Sequence, residues 1–177
     1  MTNESLRSVG RVAIASLGLS ASGLVAIAVQ EHYTDEAVIP VKGDVPTVGF
    51  GMTRRPDGSP VRLGDRTTPV EALQRTLAYT QEADTKIKRC VTAPLHQAEY
   101  DLMADFGYQY GIGALCASSM VSRANAGDYA GSCEAYALYR KAGGYDCSTL
   151  VDGQPNKRCW GVWARSQARR AKCLAVQ

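Results

Sequence analysis

An uncharged run of nineteen residues, from Val12 to Gln30, constrains this chain more than any other feature of its sequence. A helix rises about 1.5 Å per residue, so such a run could just cross the hydrocarbon core of a bilayer, which is about 30 Å thick. Arg7 and Arg11 precede it and the next basic residue is Lys42, which predicts that the N-terminus stays cytoplasmic and the remainder is exported. A signal peptide cleaved at residues 26–28 and a helix of a soluble core are the alternatives.

The run is weakly apolar for a permanent membrane anchor. Ten of its nineteen residues are Gly, Ala or Ser, and it contains no Trp, Phe or Tyr. Each small residue stands where a Leu or Phe would hold a helix in lipid, so the segment could insert and later leave at modest cost. We therefore expect residues 1–30 to form a signal-anchor-release segment and residues 31–177 to form one domain.

The six cysteines all lie in the second half of the chain, and none are in CxxC spacing. A zinc site needs close ligand pairs, which this spacing does not provide. An even number of widely spaced cysteines favours disulfides formed in an oxidising compartment, with buried reduced thiols as the alternative. Six cysteines allow about 15 pairings, and the spacing does not choose among them. They are Cys90, Cys116, Cys133, Cys147, Cys159 and Cys173.

Two sequence patterns follow the uncharged run. Residues 31–66 are rich in Gly, Pro and Asp and include the β-type stretch TVGFGM, which predicts a small lobe of hairpins. The pattern then becomes helical, because Thr68-Pro69-Val70-Glu71 predicts an N-cap, a proline in the first turn and a capping box. The predicted buried stripe of this helix, which should end near residue 89, consists of Val70, Leu73, Leu77 and Ile87.

Four more helices are expected, at about residues 95–108, 118–126, 128–141 and 161–174. Asp128 is the expected N-cap of the third of these, and the glycines at 143–144 its end. The predicted fold class is therefore α+β, with a small β-hairpin lobe, a larger helical lobe and an N-terminal apolar helix.

Charge and motifs exclude several functions. A net charge of +3 is too small to indicate a nucleic-acid partner. The HExxH, P-loop, Rossmann and G-x-S-x-G patterns are all missing, so we expect neither a metal nor a cofactor. The basic residues after Asp152 predict a solvated helix face or a surface for a polyanion such as a wall or membrane. They are Lys157, Arg158, Arg165, Arg169, Arg170 and Lys172.

The candidate chemistry lies in the glycine-rich loop after the run, which contains Glu31, Asp44 and Thr47. Glycoside cleavage needs a carboxylic acid to protonate the leaving oxygen and a second polar group to position or activate water. Glycines at 43, 49 and 51 would let the backbone approach a bulky polymer. The alternative interpretation is that the acids are solvated loop residues.

These residues resemble the signature of the phage-type lysozymes, the T-even-like muramidase family. The signature is a glutamate that ends the first helix, then a hairpin with an aspartate and a threonine, which closes on T-[IV]-G-[FIY]-G. Glu31, Asp44 and TVGFG are the matching residues here. The resemblance continues through LHQAEYDLMADFGYQYGIGALCASSMVSRANAGDYAGSC and GVWARSQARRAKCL, and so covers roughly residues 31–174.

The resemblance implies a lysozyme-like fold and hydrolysis of the β-1,4 bond between N-acetylmuramic acid and N-acetylglucosamine in peptidoglycan. It implies Glu31 as general acid, with Asp44 and Thr47 holding the attacking water or stabilising developing positive charge. It also implies inversion at the anomeric carbon. We expect a monomer held at the periplasmic side of the host inner membrane through residues 12–30, and then released into the periplasm to lyse the host.

The spacing of the acids departs from the family pattern. Twelve residues separate Glu31 from Asp44, more than is usual, and two separate Asp44 from Thr47, so Asp35 and Glu36 remain alternative carboxylates. His32 stands where the family usually has glycine. Two other functions also remain open: a lytic transglycosylase, which would need no water-holding pair, and a non-catalytic, membrane-tethered wall-binding module.

Overall fold

The computed structural model describes residues 10–40 and 43–177, so Arg7 and Lys42, which supported the predicted membrane orientation, lie outside the described residues. The helices are α1 (Ala21–Glu31), α2 (Pro69–Cys90), α3 (Gln97–Tyr110), α4 (Ile112–Cys116), α5 (Ser119–Asn125), α6 (Tyr129–Ala135) and α7 (Trp160–Leu174). Three antiparallel pairs of strands join β1 (Thr34–Val38) to β2 (Thr47–Gly49), β3 (Lys141–Ala142) to β4 (Tyr145–Asp146), and β5 (Leu150–Val151) to β6 (Gln154–Pro155). The predicted α+β class is confirmed.

The larger lobe is helical, and α3 runs through its core. Met103 and Phe106 on α3 are almost fully buried. The Phe106 ring packs against the ring of Tyr139 with centroids 4.8 Å apart, and Leu115 of α4 and Met120 of α5 complete the packing around it. Burial of such side chains stabilises the fold by about 1.5–3 kcal/mol each.

Three disulfides close this lobe, and the prediction of disulfides is confirmed. Cys90–Cys116 joins the end of α2 to the end of α4, and Cys133–Cys173 joins α6 to α7. Cys147–Cys159 closes the short segment before α7. All six cysteines are therefore paired, which matches an oxidising compartment.

The smaller lobe is built on the β1–β2 pair, with Val38 opposite Thr47 and a register irregularity further along β1. Gly49 in β2 lies directly on α2, because a Cβ at this position would come within 2.8 Å of the Ala72 Cβ. This contact fixes the hairpin against the start of the long helix. The core of the lobe is small and consists of Ala37, Val48 and Val61.

Helix α1 docks on α3 through a polar latch at its first turn. The Ser20 side chain accepts a hydrogen bond from the backbone N–H of Gly23 and donates to the Asp101 carboxylate. The backbone N–H of Ser20 donates to the same carboxylate, at 2.9 Å. Gly23 lets the two helices approach closely, since a Cβ there would lie 2.8 Å from the Asp101 Cγ. Ile27, fully buried, is the apolar anchor of α1.

The predicted N-terminal apolar helix over residues 12–30 is not confirmed. Val12 instead forms a backbone pair with Leu95, a short 3₁₀ turn follows at Ile14–Ser16, and α1 begins only at Ala21. Ser20, with its side chain engaged by Gly23 and Asp101, stops the helix from extending towards the N-terminus. Within residues 10–40 and 43–177, no helix is long and apolar enough to cross a membrane.

The predicted capping box of α2 is present, with Thr68 and Glu71 exchanging hydrogen bonds. The predicted stripe, however, is wrong except for Ile87, because Val70, Leu73 and Leu77 are 40–66% exposed. Ala72 and Thr76, each one position before a predicted leucine, are buried instead, and at Ala72 the close approach of Gly49 leaves little room for a larger side chain. This buried face consists of Ala72, Thr76, Thr80, Ala83 and Ile87.

The segment between α6 and α7 also differs from the prediction. The helix expected over 128–141 ends at Ala135, continues as a short 3₁₀ turn at Tyr136–Leu138, and gives way to the β3–β4 hairpin. Helix α4 and the β5–β6 hairpin were not predicted either. Their elements are only two to five residues long, which is too short for a periodic signal.

His32 links α1 to β1 in a strained backbone conformation. Its φ is 55° and its ψ is 158°, a combination that glycine adopts readily and that costs other residues about 1–3 kcal/mol. The strain lets the chain reverse direction immediately after Glu31, so that β1 can pair with β2. It also accounts physically for glycine being the usual residue at this position in the family pattern.

We predict that His32→Gly raises the free energy of unfolding by about 1 kcal/mol, because relief of the strain exceeds the added backbone entropy of glycine. Urea unfolding followed by circular dichroism measures the difference. His32→Ala is the matched control, since alanine keeps the φ penalty. Equal urea midpoints for His32→Gly and His32→Ala would contradict the inference that the backbone of His32 is strained.

Candidate active site

Glu31 is the last residue of α1, and its carboxylate is held by the far end of the chain. Arg165 of α7 donates a hydrogen bond from Nη1 to Oε1 of Glu31 at 2.7 Å. The Glu31 side chain is 20% exposed and that of Arg165 11% exposed, so the pair is largely shielded but reachable from solvent. A carboxylate fixed in this way can act on a ligand that enters from the open side.

Asp105 of α3 organises this pair from behind. Its carboxylate accepts a hydrogen bond from Arg165 Nη2 at 2.7 Å and another from Arg169 Nε at 2.6 Å. Burial raises the pKa of Asp105, but the charges and hydrogen bonds of Arg169 and Arg165 outweigh burial and hold its pKa below the usual value. Asp105 therefore stays ionised and orients Arg165 towards Glu31.

The glycine turn after β2 forms another wall of the site. Val48 and Met52 exchange backbone hydrogen bonds across this turn, which brings Gly51 against Glu31. A Cβ at Gly51 would lie 3.2 Å from the Glu31 Oε2, and its φ is +75°, so a side chain here would crowd the carboxylate. Gly51 thus serves Glu31 directly, whereas Gly49 serves packing on α2.

Tyr108 of α3 ties the same turn to the helical lobe. Its hydroxyl donates to the backbone carbonyl of Phe50 at 2.6 Å. Burial, together with the nearby charge of Glu31, raises the pKa of Tyr108 to about 12, so the hydroxyl stays protonated as a donor at neutral pH. The turn that carries Gly51 is therefore anchored from both lobes.

The other two predicted site residues lie in the β1–β2 hairpin. Asp44 is exposed at the loop end, where its carboxylate accepts a hydrogen bond from the backbone N–H of Val45 at 2.8 Å. Thr47 begins β2 and is half-buried opposite Val38. In the part of the chain that the structure describes, no hydrogen bond joins either side chain to Glu31.

The alternative carboxylates are used elsewhere. Arg66 contacts Asp35 at 3.1 Å and Glu36 at 3.4 Å, and all three side chains are more than half exposed. Each exposed ion pair of this kind contributes at most about 1 kcal/mol. These contacts join the outer face of β1 to the loop before α2.

Sequence reasoning missed Asp105, Tyr108 and the site role of Arg165. Arg165 and Arg169 were interpreted as part of a solvated or polyanion-binding face, but both turn inward to Asp105. Their separation of four residues on one helix was the available signal, because it puts both on the same face. Nothing near Asp105 in the sequence indicated its partners, which lie 60 and 64 residues away.

One cluster among the described residues has metal-binding residue types: Glu99, Cys133 and Cys173. The two sulfur atoms form a disulfide, so neither can supply the thiolate that a metal requires. The carboxylate of Glu99 is already paired with Arg11 at 2.9 Å. The cluster is therefore structural.

Comparison with known proteins finds a matching family and two relatives. The family model for phage lysozyme matches residues 28–158. The chain is 26% identical over 125 residues to the endolysin of Salmonella phage P22, and the aligned part covers 71% of this chain and 85% of that endolysin. It is 28% identical over 147 residues to the SAR-endolysin of Pseudomonas phage phiKMV, covering 81% and 84% respectively.

A solved structure has the same fold. The endolysin from Escherichia coli O157:H7 phage FAHEc1 superimposes with a TM-score of 0.73 at 28% identity. The match covers 90% of this chain and 94% of that one. The predicted lysozyme-like architecture is thereby confirmed.

We predict that Asp105→Asn lowers the free energy of unfolding by about 3 kcal/mol at pH 7, because the buried guanidinium group of Arg169 loses its counter-charge and Arg165 keeps only that of Glu31. The folded-state pKa of Asp105 is depressed, so its contribution is complete above the unfolded pKa of about 3.9 and is lost as the pH falls through the folded value. Urea unfolding of the unchanged chain and of Asp105→Asn, measured between pH 7 and pH 3, should show that the difference in their free energies of unfolding narrows below about pH 4. A difference independent of pH would contradict this.

Proposed function

The chain belongs to the phage lysozyme family, and on that basis we propose that it is an endolysin that hydrolyses the β-1,4 bond between N-acetylmuramic acid and N-acetylglucosamine in peptidoglycan. The observation that carries the proposal is the position of Glu31, which ends α1, is held by Arg165 and is bordered by Gly51. That arrangement offers a single carboxyl group, positioned by both lobes, to a ligand lying between them.

In this mechanism the Glu31 carboxyl group donates its proton to the leaving glycosidic oxygen, and that bond to the anomeric carbon breaks. Water attacks the anomeric carbon from the opposite face, so the configuration inverts, and it gives up a proton to solvent, from which Glu31 is reprotonated. Asp44 and Thr47 hold this water or stabilise the developing positive charge. Asp44 is exposed at the end of the hairpin, so its carboxylate is accessible to a substrate.

Residues 1–30 serve as the signal-anchor-release segment in this proposal, and residues 31–177 as the muramidase domain. The tethered form is held at the periplasmic side of the host inner membrane, where Glu31 is pinned at the bilayer surface. Release into the periplasm lets α1 dock and completes the site, a shift between two states driven by the membrane. A monomer is sufficient, because the docked site uses residues of one chain.

Features of α1 support reversible docking. Val25 is 60% and Val29 65% exposed on its outer side, so part of an apolar surface suited to lipid stays uncovered. On its inner side, small residues such as Ala26 leave a cavity of about 210 Å³ against α3 and α7. A loosely packed helix costs less to undock than a filled one. The similarity to a SAR-endolysin adds to this support.

Two other functions make different predictions. A lytic transglycosylase cuts the same bond with one glutamate and no attacking water, and forms an anhydro product. Thr47, at the start of β2, favours the hydrolase because a water-holding residue is then useful. A membrane-tethered wall-binding module needs no Glu31, and the shielded Glu31–Arg165 pair would have no purpose in it.

We predict that Glu31→Gln abolishes lysis of purified cell walls, with a loss of at least about 1,000-fold, since the amide cannot protonate the leaving oxygen. Its unfolding midpoint should change little, because the amide still accepts from Arg165. Turbidity of a wall suspension and a zymogram measure lysis. Asp35→Asn, which changes an exposed carboxylate on β1, is the control and should lyse normally.

The same assay separates the alternatives. Mass spectrometry of the products should show reducing N-acetylmuramic acid ends, formed by addition of water. Anhydro ends would identify a transglycosylase. Full lysis by Glu31→Gln would contradict the assignment of Glu31 as the general acid.

Fractionation of cells tests the proposed tether. The chain should sediment with the inner membrane while the membrane potential is maintained, because the uncharged run is then inserted. Dissipation of the potential should move it to the periplasmic fraction at unchanged length. A chain found already in the periplasm and shortened near Ala28 would instead indicate a cleaved signal peptide.

A further inference from the structure

The segment between residues 141 and 159 forms two consecutive short hairpins, here called the stapled hairpin pair. Each hairpin has a two-residue turn with positive φ at both positions: Gly143-Gly144 in the first and Asp152-Gly153 in the second. Such turns match the twist of the flanking strands and give a narrow, well-defined tip. The pair therefore projects as built structure rather than as a loose loop.

The base of the stapled hairpin pair is rigidly closed. The Cys147–Cys159 disulfide joins the two ends of the second hairpin, and Asn156, which lies between these cysteines in the chain, is buried. The Asn156 side chain donates to the carbonyls of Cys147 and Thr149 and accepts from the backbone N–H of Cys159. Three hydrogen bonds and a covalent link thus hold the second hairpin in a fixed direction.

The second hairpin carries an exposed aliphatic tip. Leu150 is 57% and Val151 59% exposed, and all residues from 150 to 155 are exposed. Leu150 lies opposite Pro155, and Val151 lies opposite Gln154. Leu150 and Val151 are consecutive on one strand, so their side chains occupy opposite faces of the hairpin. Solvent therefore surrounds the tip on both sides. A rigid tip that exposes two large aliphatic side chains is suited to insertion into an apolar phase.

Basic side chains surround the base below this tip. Lys141 and Lys157 are exposed, and in the described part of the chain neither forms an ion pair. The guanidinium group of Arg158 lies over the Tyr145 ring, 3.2 Å from its centroid, and stays exposed. The carboxylate of Asp146 is already occupied by Arg140. The base thus presents uncompensated positive charge.

We propose that the stapled hairpin pair is a docking surface for an anionic phospholipid bilayer, with Leu150 and Val151 in the interfacial region and Lys141, Lys157 and Arg158 at the headgroups. The charge at the base complements anionic headgroups, and the aliphatic tip matches the acyl boundary. A glycan would instead favour open aromatic faces, and the Tyr145 ring is covered by Arg158. Asp152, at the turn, carries a negative charge that opposes this partner. The surface is separate from α1 and from Glu31, so it does not depend on the proposed function.

Co-sedimentation of the full chain with vesicles tests the tip. Vesicles of phosphatidylethanolamine with 30% phosphatidylglycerol as probe are compared with purely zwitterionic vesicles, at about 0.1 M salt. The double variant Leu150→Ser with Val151→Ser should bind anionic vesicles about tenfold more weakly. Leu63→Ser, which removes an equally exposed leucine from the β lobe, should bind like the unchanged chain. Because every variant keeps α1, insertion of α1 contributes equally to all.

Charge variants of the base and of the turn should change vesicle binding in opposite directions. Lys141→Glu with Lys157→Glu should weaken binding to anionic vesicles by about tenfold or more, and Asp152→Asn should strengthen it by about threefold. Arg89→Glu, an exposed basic residue on α2, is the matched control and should have a much smaller effect. Unchanged vesicle binding in the tip and base variants would overturn the proposal. Reduced binding to isolated peptidoglycan, with vesicle binding intact, would also overturn it and identify a wall-binding surface instead.

Discussion

The shared carboxylate of Asp105 is the interaction on which the site depends. It pairs with Arg165 and Arg169 at once, and Arg165 in turn holds Glu31, so α1, α3 and α7 meet at one chain of charges. Arg169 is 2% exposed, and a guanidinium group at that depth is tolerable only with a counter-charge. The position of Glu31 therefore follows from a buried network in the helical lobe rather than from the glycine-rich loop that follows it in the chain.

The proposed release would place two conflicting demands on helix α1. A core helix should bury large apolar side chains, whereas a segment that can leave a membrane should carry few of them. In the structure α1 docks through a polar latch from Ser20 to Asp101, a fully buried anchor at Ile27, and small inner residues such as Ala26. The ion pair at Glu31 and the latch at Ser20 fix the two ends of α1, so docking does not require a tightly filled interface between them.

The structure keeps Glu31 beside the glycine-rich hairpin that the sequence indicated, and adds partners from α3 and α7 that the sequence did not indicate. The glycines of this hairpin make different contacts, with Gly51 against Glu31 and Gly49 against Ala72. Asp44 and Thr47 lie on the same hairpin without a hydrogen bond to Glu31 in the described structure. The alternative carboxylates, Asp35 and Glu36, contact Arg66.

The sequence by itself determined the features that depend on neighbouring residues. The capping box at Thr68, the position of α7, the disulfide-forming cysteines and the α+β class all follow from signals within a few turns of the chain. Tertiary structure decided which face of α2 is buried, where α1 begins, and that Asp105 meets Arg165 across 60 residues. These features depend on how closely distant segments approach one another. A side chain such as that of Leu73 or Arg165 is tolerated both in water and against a partner, and only the path of the whole chain selects between the two environments.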